Sequence, residues 1–309
     1  MSALEMHLEE YLRLRRQLGH QLADQGRLLP RFVSYLEAKG MEHVSVQAVL
    51  DWSLEPKASP QSTVWSCRFM AARGFARYLS GIDPRTEVPP AGLISARRQW
   101  RQPFIYTGAD VAALMAEAGR SIAQPLRAAT YQTLIGLLAC TGLRIGEALR
   151  LDRDDVDWEE GVLVVRRSKF NKSRLVPLAP SAFAALKDYA CQRDSLCAHP
   201  ASQSYLVSLR GTRVIYEVVC ETHRMLCERS GVGAGLERAP RIHDFRHSFA
   251  VNTLLGWYRE GVDVGVRLPW LSTYLGHREP RYTYHYLSAT PELLGQAARL
   301  LERDQAVRP

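Results

Sequence analysis

The chain has 309 residues, 46% of them hydrophobic and 23% charged, and its 40 basic and 32 acidic side chains give a formal charge of +8. That length favours two domains, no repeat or low-complexity tract interrupts it, and no apolar run approaches the roughly 18 residues of a membrane span. The positive balance fits a polyanionic partner, although a solubilising surface excess gives the same number.

From the N-terminus, Leu4, Leu8, Leu12, Leu14 and Leu18 predict a helix over 3–18, and Leu28, Phe32, Val33 and Leu36 a second over 28–39. Ser45 is placed to cap a third helix from Val46. Trp65, Phe69, Phe75 and Tyr78 carry a fourth from about Ser62 to Leu79, ended by Gly81-Ile82-Asp83-Pro84. Residues 1–88 therefore read as a compact helical unit, 89–103 with Pro89-Pro90 as a linker, and 104–309 as a second domain with a C-terminal tail. Fourteen basic and 10 acidic residues precede Pro103 and 26 and 22 follow it, so each part carries +4, as a clamp closing on DNA from two sides needs. Arg73, Arg77, Arg97, Arg98 and Arg101, interleaved with Phe75, Tyr78 and Trp100, are candidate phosphate contacts; a solvated helix face is the plain alternative.

In the second part, Thr107 leads an alanine-rich helix to about Ala118, and an apolar helix covers Pro125 to Cys140. Thr141-Gly142 breaks it, and a new helix from Leu143 to Leu149 carries Arg144 in its first turn. The acidic stretch from Asp152 to Asp157 reads as a solvated turn. Residues 161–166 and 174–178 are strand-like about a polar turn, 169–173, which puts Lys169 at or beside a hairpin tip. After Pro180 the pattern is helical almost to the end, with breaks at 231–235, 261–263 and Gly276. The expected fold class is mostly α with a small antiparallel β-sheet.

The six cysteines, Cys67, Cys140, Cys191, Cys197, Cys220 and Cys227, show neither a Cys-x-x-Cys pair nor zinc-finger spacing, so no structural zinc is expected. Most fall in apolar helical patterns, where a reduced thiol behaves as a small buried hydrophobe. With no signal peptide or membrane span, a cytoplasmic protein is expected, on the nucleoid when bound to DNA.

The chemistry concentrates in six residues. Arg144 lies in Thr-Gly-Leu-Arg-Ile-Gly-Glu, Lys169 in the polar turn, and His243 and Arg246 in His-Asp-Phe-Arg-His; His277 follows Leu-Gly, and Tyr286 comes nine residues later. Two guanidiniums can clamp one phosphate, histidines and a lysine can manage protons, and a phenol oxygen can attack phosphorus, so a metal-free, cofactor-free phosphoryl transfer has every role filled. Periodicity leaves Tyr282 beside Tyr286 on one helical face, with Tyr284 elsewhere, and Lys172 rivals Lys169. Glu147, three residues beyond Arg144, reads as its supporting partner. His247 has no assigned role.

From Thr107 to Leu294 these motifs resemble the tyrosine recombinases of the phage integrase family, and the details Trp257-Tyr-Arg-Glu-Gly-Val and Tyr-Leu-Ser-Ala-Thr-Pro-Glu-Leu-Leu resemble those carried by mobile elements. The resemblance implies a core-binding helical domain and a catalytic domain forming a C-shaped clamp on duplex DNA with a specific recombination site. Arg144 and Arg246 would bind the non-bridging oxygens, His243 would act as general base or phosphate donor, and His277 would stabilise the transition state. By the same resemblance Lys169 would protonate the leaving 5′-oxygen, and Tyr286, selected by its spacing from His277, would be the nucleophile. It further implies integration, excision or resolution through a 3′-phosphotyrosine by a dimer on each site and a tetramer in synapsis, and it admits other recombinases of the same element as partners. The tail after Pro291, with Leu293, Leu294, Ala297, Leu300 and Leu301, would dock on a neighbour or on its own domain. Type IB topoisomerase-like relaxation and a non-catalytic DNA-binding accessory are the alternatives.

Overall fold

The computed structural model describes residues 2–20, 22–58, 62–94, 102–166, 173–277, 279–287 and 290–306. Lys169, Lys172, Arg97, Arg98 and Arg101 lie outside this set, as do the side chains of Ala297, Leu300 and Leu301. The chain divides into two compact units, Met1–Arg101 and Gln102–Pro309.

The first unit holds four helices, α1 Ala3–Gln17, α2 Ala23–Ala38, α3 Val46–Leu54 and α4 Val64–Leu79. A capping box between Ser2 and Glu5 starts α1, and the Ser45 hydroxyl accepts from the Ala48 amide to start α3. Their apolar stripes meet in one core around Leu8, Phe32, Trp52, Phe69 and Phe75. Arg73 is half-buried and donates Nε to the Pro89 carbonyl at 2.7 Å, which ties it to its own backbone, whereas Arg77 is exposed.

The second unit opens with α5 Gly108–Ser121, fixed by a Thr107–Asp110 capping box, and α6 Pro125–Thr141. There follow α7 Ile145–Arg150, a three-stranded antiparallel sheet in the order β1 Val156–Asp157, β2 Val162–Val165, β3 Arg174–Pro177, and α8 Pro180–Leu196. Val165 pairs with Arg174 at one end of the β2–β3 ladder, and Lys169 falls between them in sequence. After α9 Tyr216–Ser230 come α10 Asp244–Arg259, α11 Val264–Leu275, the single turn α12 Arg281–Tyr284, and α13 Pro291–Ala306. The mixture of helices and one small antiparallel sheet is the fold class the sequence implied.

Four expectations are corrected. Arg144 is the N-cap residue of α7, before rather than within its first turn. The Asp152–Asp157 stretch is not a solvated turn: Asp155 is buried and pairs with Arg166, Asp152 pairs with Arg213, and Val156–Asp157 is a strand. Between α8 and α9 the chain leaves the helical pattern for a loop with bridges at Asp152–Ser204 and Val207–Arg213. Only Cys227 is buried; Cys67, Cys140 and Cys191 are exposed.

Two cores lie in this unit. One gathers α5, α6, α9 and the sheet around Tyr106, Leu134, Leu163 and Phe245; the other joins α10, α11 and α13 around Leu254, Leu271, Tyr286 and Leu293. Leu293 thus docks α13 on its own chain, while Leu294 faces outward. Among the described residues no helix is long and apolar enough to cross a membrane.

Gly142 ends α6 in the left-handed region at φ +60°, and a Cβ built there would meet the Phe249 ring at 2.6 Å. Gly142→Ala is therefore expected to destabilise the chain by at least about 1 kcal/mol from the backbone conformation alone, with the clash added. Urea unfolding of the two proteins measures it, and equal midpoints would contradict the packing described.

Candidate active site

Arg246 stands in the first turn of α10 and is 2% exposed. Its Nη1 donates to the Gly142 carbonyl at 2.9 Å and its Nη2 to the Leu275 carbonyl at 2.7 Å, the closing residues of α6 and α11. Carbonyls at helix C-termini carry partial negative charge, which offsets part of the cost of burying the cation. Burial, and then the nearby Arg144, still lower its pKa to about 10.

Two residues past Gly142, Arg144 donates Nη1 to Glu147 Oε1 at 2.8 Å, and the Arg144 amide donates to Glu147 Oε2 at 3.1 Å. Its Nη2 lies 3.5 Å from the Gly276 carbonyl. Arg174, at the start of β3, closes on the same carboxylate with Nη1 to Oε1 at 3.1 Å and Nη2 to Oε2 at 2.8 Å, while its Nε donates to the Tyr274 carbonyl at 2.8 Å. Burial pushes the Glu147 carboxyl up, but hydrogen bonds and charge from Arg174, then Arg144, outweigh it and hold the pKa at about 2. Arg174 was not singled out from the sequence. The signal available was its strand-end position opposite a glutamate that i,i+3 spacing supplies with only one arginine.

Tyr286 follows α12 and is 2% exposed. Burial raises its pKa, and the charge and hydrogen bond of Arg246 partly reverse that. His277, His247 and His285 pack against the phenol, and His243 packs against His247. His277 stacks on it with centroids 6.1 Å apart and shares a 2.7 Å hydrogen bond between its Nδ1 and the Thr283 hydroxyl. His247 meets it edge-on at 5.4 Å, and His285 touches it at 4.0 Å. His243 meets His247 at 5.2 Å and keeps an exposed edge at the mouth. Loss of hydration among surrounding protein is the leading cause that lowers the pKa of each ring, with Arg246 next for His243 and His277; the result is about 4 for His247 and about 3 for His277. All four are neutral at pH 7.

The fold thus brings Arg144, Arg246, His243, His277 and Tyr286 together, with Glu147 and Arg174 beside the arginines; Lys169 lies outside the described residues. Tyr282 and Tyr284 are exposed, and Tyr274 stacks on Phe249, so burial against Arg246 distinguishes Tyr286 from its neighbours. Among the described residues no group of three or more His, Cys, Asp or Glu side chains could hold a metal ion. The arrangement can bind one tetrahedral anion between guanidiniums and bring a phenol oxygen to it.

Residues 106–292 match the sequence model of the phage integrase family. The chain is 40% identical over 309 residues, 98% of both chains, to "Putative integrase/recombinase y4rB" of Sinorhizobium fredii (strain NBRC 101917 / NGR234). It is 30% identical to tyrosine recombinase XerD of Pseudomonas aeruginosa over 265 residues, 84% of this chain and 83% of that one. The fold is similar to that of the Tn1549 transposon integrase in complex with transposon right end DNA, with a TM-score of 0.64 at 16% identity, over 96% of this chain and 98% of that one.

Glu147→Gln removes the charge that two arginines share, and is expected to cost about 3 kcal/mol in urea unfolding; a loss under about 0.5 kcal/mol would mean the arginines are held without it. The histidines give a second expectation. His223, buried against Tyr106, and His247 have folded pKa values of about 4 and His277 about 3, all below the unfolded value near 6.5. The unfolded chain binds more protons below that value, so stability is full above about pH 6.5 and falls by up to about 1.4 kcal/mol per pH unit per histidine as pH drops toward 4. Urea midpoints between pH 7 and 5 measure this, and a flat profile would contradict the burial of these rings.

Proposed function

Because the chain belongs to the phage integrase family, we propose that it is a site-specific DNA recombinase of the mobile-element type, cutting and rejoining strands through a 3′-phosphotyrosyl intermediate. The observation that carries this reading is the convergence of two guanidiniums on one buried phenol, the charges of Arg246 and Arg144 both acting on Tyr286.

The partner is double-stranded DNA bearing a recombination site. Arg144 and Arg246 bind the non-bridging oxygens of the scissile phosphate and offset the charge that builds as the pentacoordinate centre forms. Neutral His243 takes the Tyr286 proton as general base or hydrogen-bonds the phosphate, and neutral His277 donates a hydrogen bond to it. The Tyr286 oxygen attacks phosphorus, and the departing 5′-oxygen takes a proton from Lys169, whose ammonium can release one where a guanidinium cannot. The 5′-hydroxyl of a partner strand then attacks the phosphotyrosine and restores a diester. Phosphate-bond energy is kept in the protein–DNA bond, so the cycle consumes no ATP.

Exchange between two duplexes requires more than one protomer, and a dimer on each site with a tetramer in synapsis meets that requirement. Arg77 and the arginines of 95–101 supply further phosphate contacts from the first unit, and the protein works where the element's DNA lies, in the bacterial cytoplasm. Relaxation of a single duplex by the same chemistry is not favoured, since XerD is a recombinase and the Tn1549 protein an integrase.

The test uses a nicked duplex carrying a site selected by binding from a random-sequence pool. The full chain is expected to form a covalent adduct on it and to exchange strands with a second duplex. Tyr286→Phe should abolish the adduct while binding stays within about twofold, and Arg144→Lys or Arg246→Lys should slow adduct formation by about 100-fold or more. An adduct that survives in Tyr286→Phe would reject the nucleophile, relaxation without exchange would make the protein a topoisomerase, and binding without any adduct would make it an accessory.

A further inference from the structure

The chain builds one device twice. At the start of α7, Arg144 and Glu147 stand three residues apart, the Arg144 amide donating to one carboxylate oxygen and the Arg144 guanidinium to the other. At the start of α10, Arg241 and Asp244 repeat it. The Arg241 amide donates to Asp244 Oδ2 at 2.9 Å, its Nη2 donates to Oδ1 at 2.7 Å, and its Nε lies 3.1 Å from the same Oδ1. The Asp244 amide donates in turn to the Arg241 carbonyl at 2.9 Å. The first pair aims a guanidinium assigned above to the scissile phosphate; the second, two residues before His243, has no part in the reaction as described so far.

Asp244 is fully buried, whereas the Arg241 side chain it holds is 41% exposed. The turn between them is fixed from the other side as well: Tyr106 stacks on Phe245 at 4.0 Å and donates its hydroxyl to the Arg241 carbonyl at 3.3 Å. The carboxylate takes Nε and one N–H of Nη2, and the two N–H groups of Nη1 have no protein acceptor among the described residues. A carboxylate at the first residue of a helix is already favoured by the helix dipole and does not need a rigid fork. A fork held from behind and open to solvent in front is how a protein presents a guanidinium to a phosphate. The charge of Arg241 is felt by both His243 and His247, which places it beside the site.

We propose that Arg241 binds a DNA phosphate next to the scissile one on the cleaved strand, with Asp244 as the positioning residue that holds its guanidinium there. The inference rests on the recombinase reading of this site and adds a second anchor to it. Arg241 and Arg246 flank His243 at the start of one helix, so a strand gripped by both is held at two successive phosphates from a single rigid element. A lone phosphate between guanidiniums can still turn; a second contact fixes the direction of the sugar–phosphate chain at the cut, and with it the line from the phenol oxygen through phosphorus to the leaving oxygen. Asp244 does not cancel the cation, because its charge is shared with the Arg241 amide and with the positive end of α10.

The experiment uses full chains and the selected duplex site, with a neutral methylphosphonate placed at each phosphate near the cut in turn, and reads affinity against salt together with adduct formation. The wild type is expected to lose about tenfold in affinity when one flanking phosphate is neutralised. Arg241→Gln should bind unmodified DNA about tenfold more weakly at about 0.1 M salt, with the salt slope smaller by about 0.9, and should respond to that methylphosphonate by less than about twofold. A chain with both Arg241→Gln and Asp244→Asn, which leaves no buried carboxylate unpaired, should show the same slope and the same indifference with a wild-type urea midpoint. Variants that keep the wild-type slope, or that lose affinity at the flanking position as the wild type does, would overturn the proposal and leave the pair a structural clasp of α10. A wild type indifferent to every flanking methylphosphonate would overturn it too. A wild-type chain that forms no adduct on unmodified DNA would reject the recombinase reading itself, and this proposal with it.

Discussion

A single buried guanidinium sets the spacing of the site. Arg246 ties α10 to the last carbonyl of α6 and the last carbonyl of α11, and the two arms of chain leaving those carbonyls carry Arg144 and His277, each two residues on. One side chain therefore fixes the distances among three elements remote in sequence. Gly142 and Gly276 make this possible, since both hold the left-handed conformation that turns a helix end back toward the pocket. A Cβ at Gly276 would lie 2.9 Å from an Arg174 nitrogen, so the space beside the arginine cluster is already taken by the cluster itself.

Such a cluster is electrostatically incomplete. Arg144, Arg174 and Arg246 lie close together around the Glu147 carboxylate, and Arg144 lowers the pKa of Arg246. Glu147 serves the Arg174 guanidinium with both of its oxygens and the Arg144 guanidinium with one. This orients the guanidiniums without neutralising them, and the residual positive charge is what a phosphodiester would satisfy. The order of construction is thus fold first, then carboxylate, then substrate: the helix-end carbonyls hold the deepest arginine, Glu147 aims the other two, and the anion completes the balance.

Much of this was legible in the sequence because it is periodic or capped. Ser45 and Thr107 start helices where hydroxyls before apolar periods should, and the motif around Tyr286 fixed a residue that periodicity alone left level with Tyr282. What escaped was set by tertiary contact. Val156–Asp157 is too short to show alternation, and the burial of Asp155 depends on Arg166 from the next strand. The 197–215 loop escaped because Tyr205, Leu206 and Val207 are buried in an irregular segment rather than along one face of a helix. Arg174 escaped because its bond to Glu147 joins residues 27 apart in sequence, which no local spacing reveals. The cysteines were misjudged because a helical period says which residues align, not which face is buried.

The same arginines that would hold the phosphate also keep the histidines uncharged. Arg246 and Arg144 lower the pKa of His243 and His277, on top of the burial that already disfavours imidazolium. A site that must stabilise negative charge would gain from a cationic histidine as a static group, yet an imidazolium has no lone pair and cannot accept a proton. Placing fixed charge on guanidiniums, which do not titrate, and leaving the imidazoles neutral separates the two tasks. Tyr286 completes the logic. Burial keeps the phenol protonated in the free protein, with Arg246 only partly opposing, so the nucleophile is not a standing phenolate. Its activation needs both a phosphate between the arginines and a neutral acceptor nearby, and the uncharged imidazoles are the groups of this site able to accept a proton.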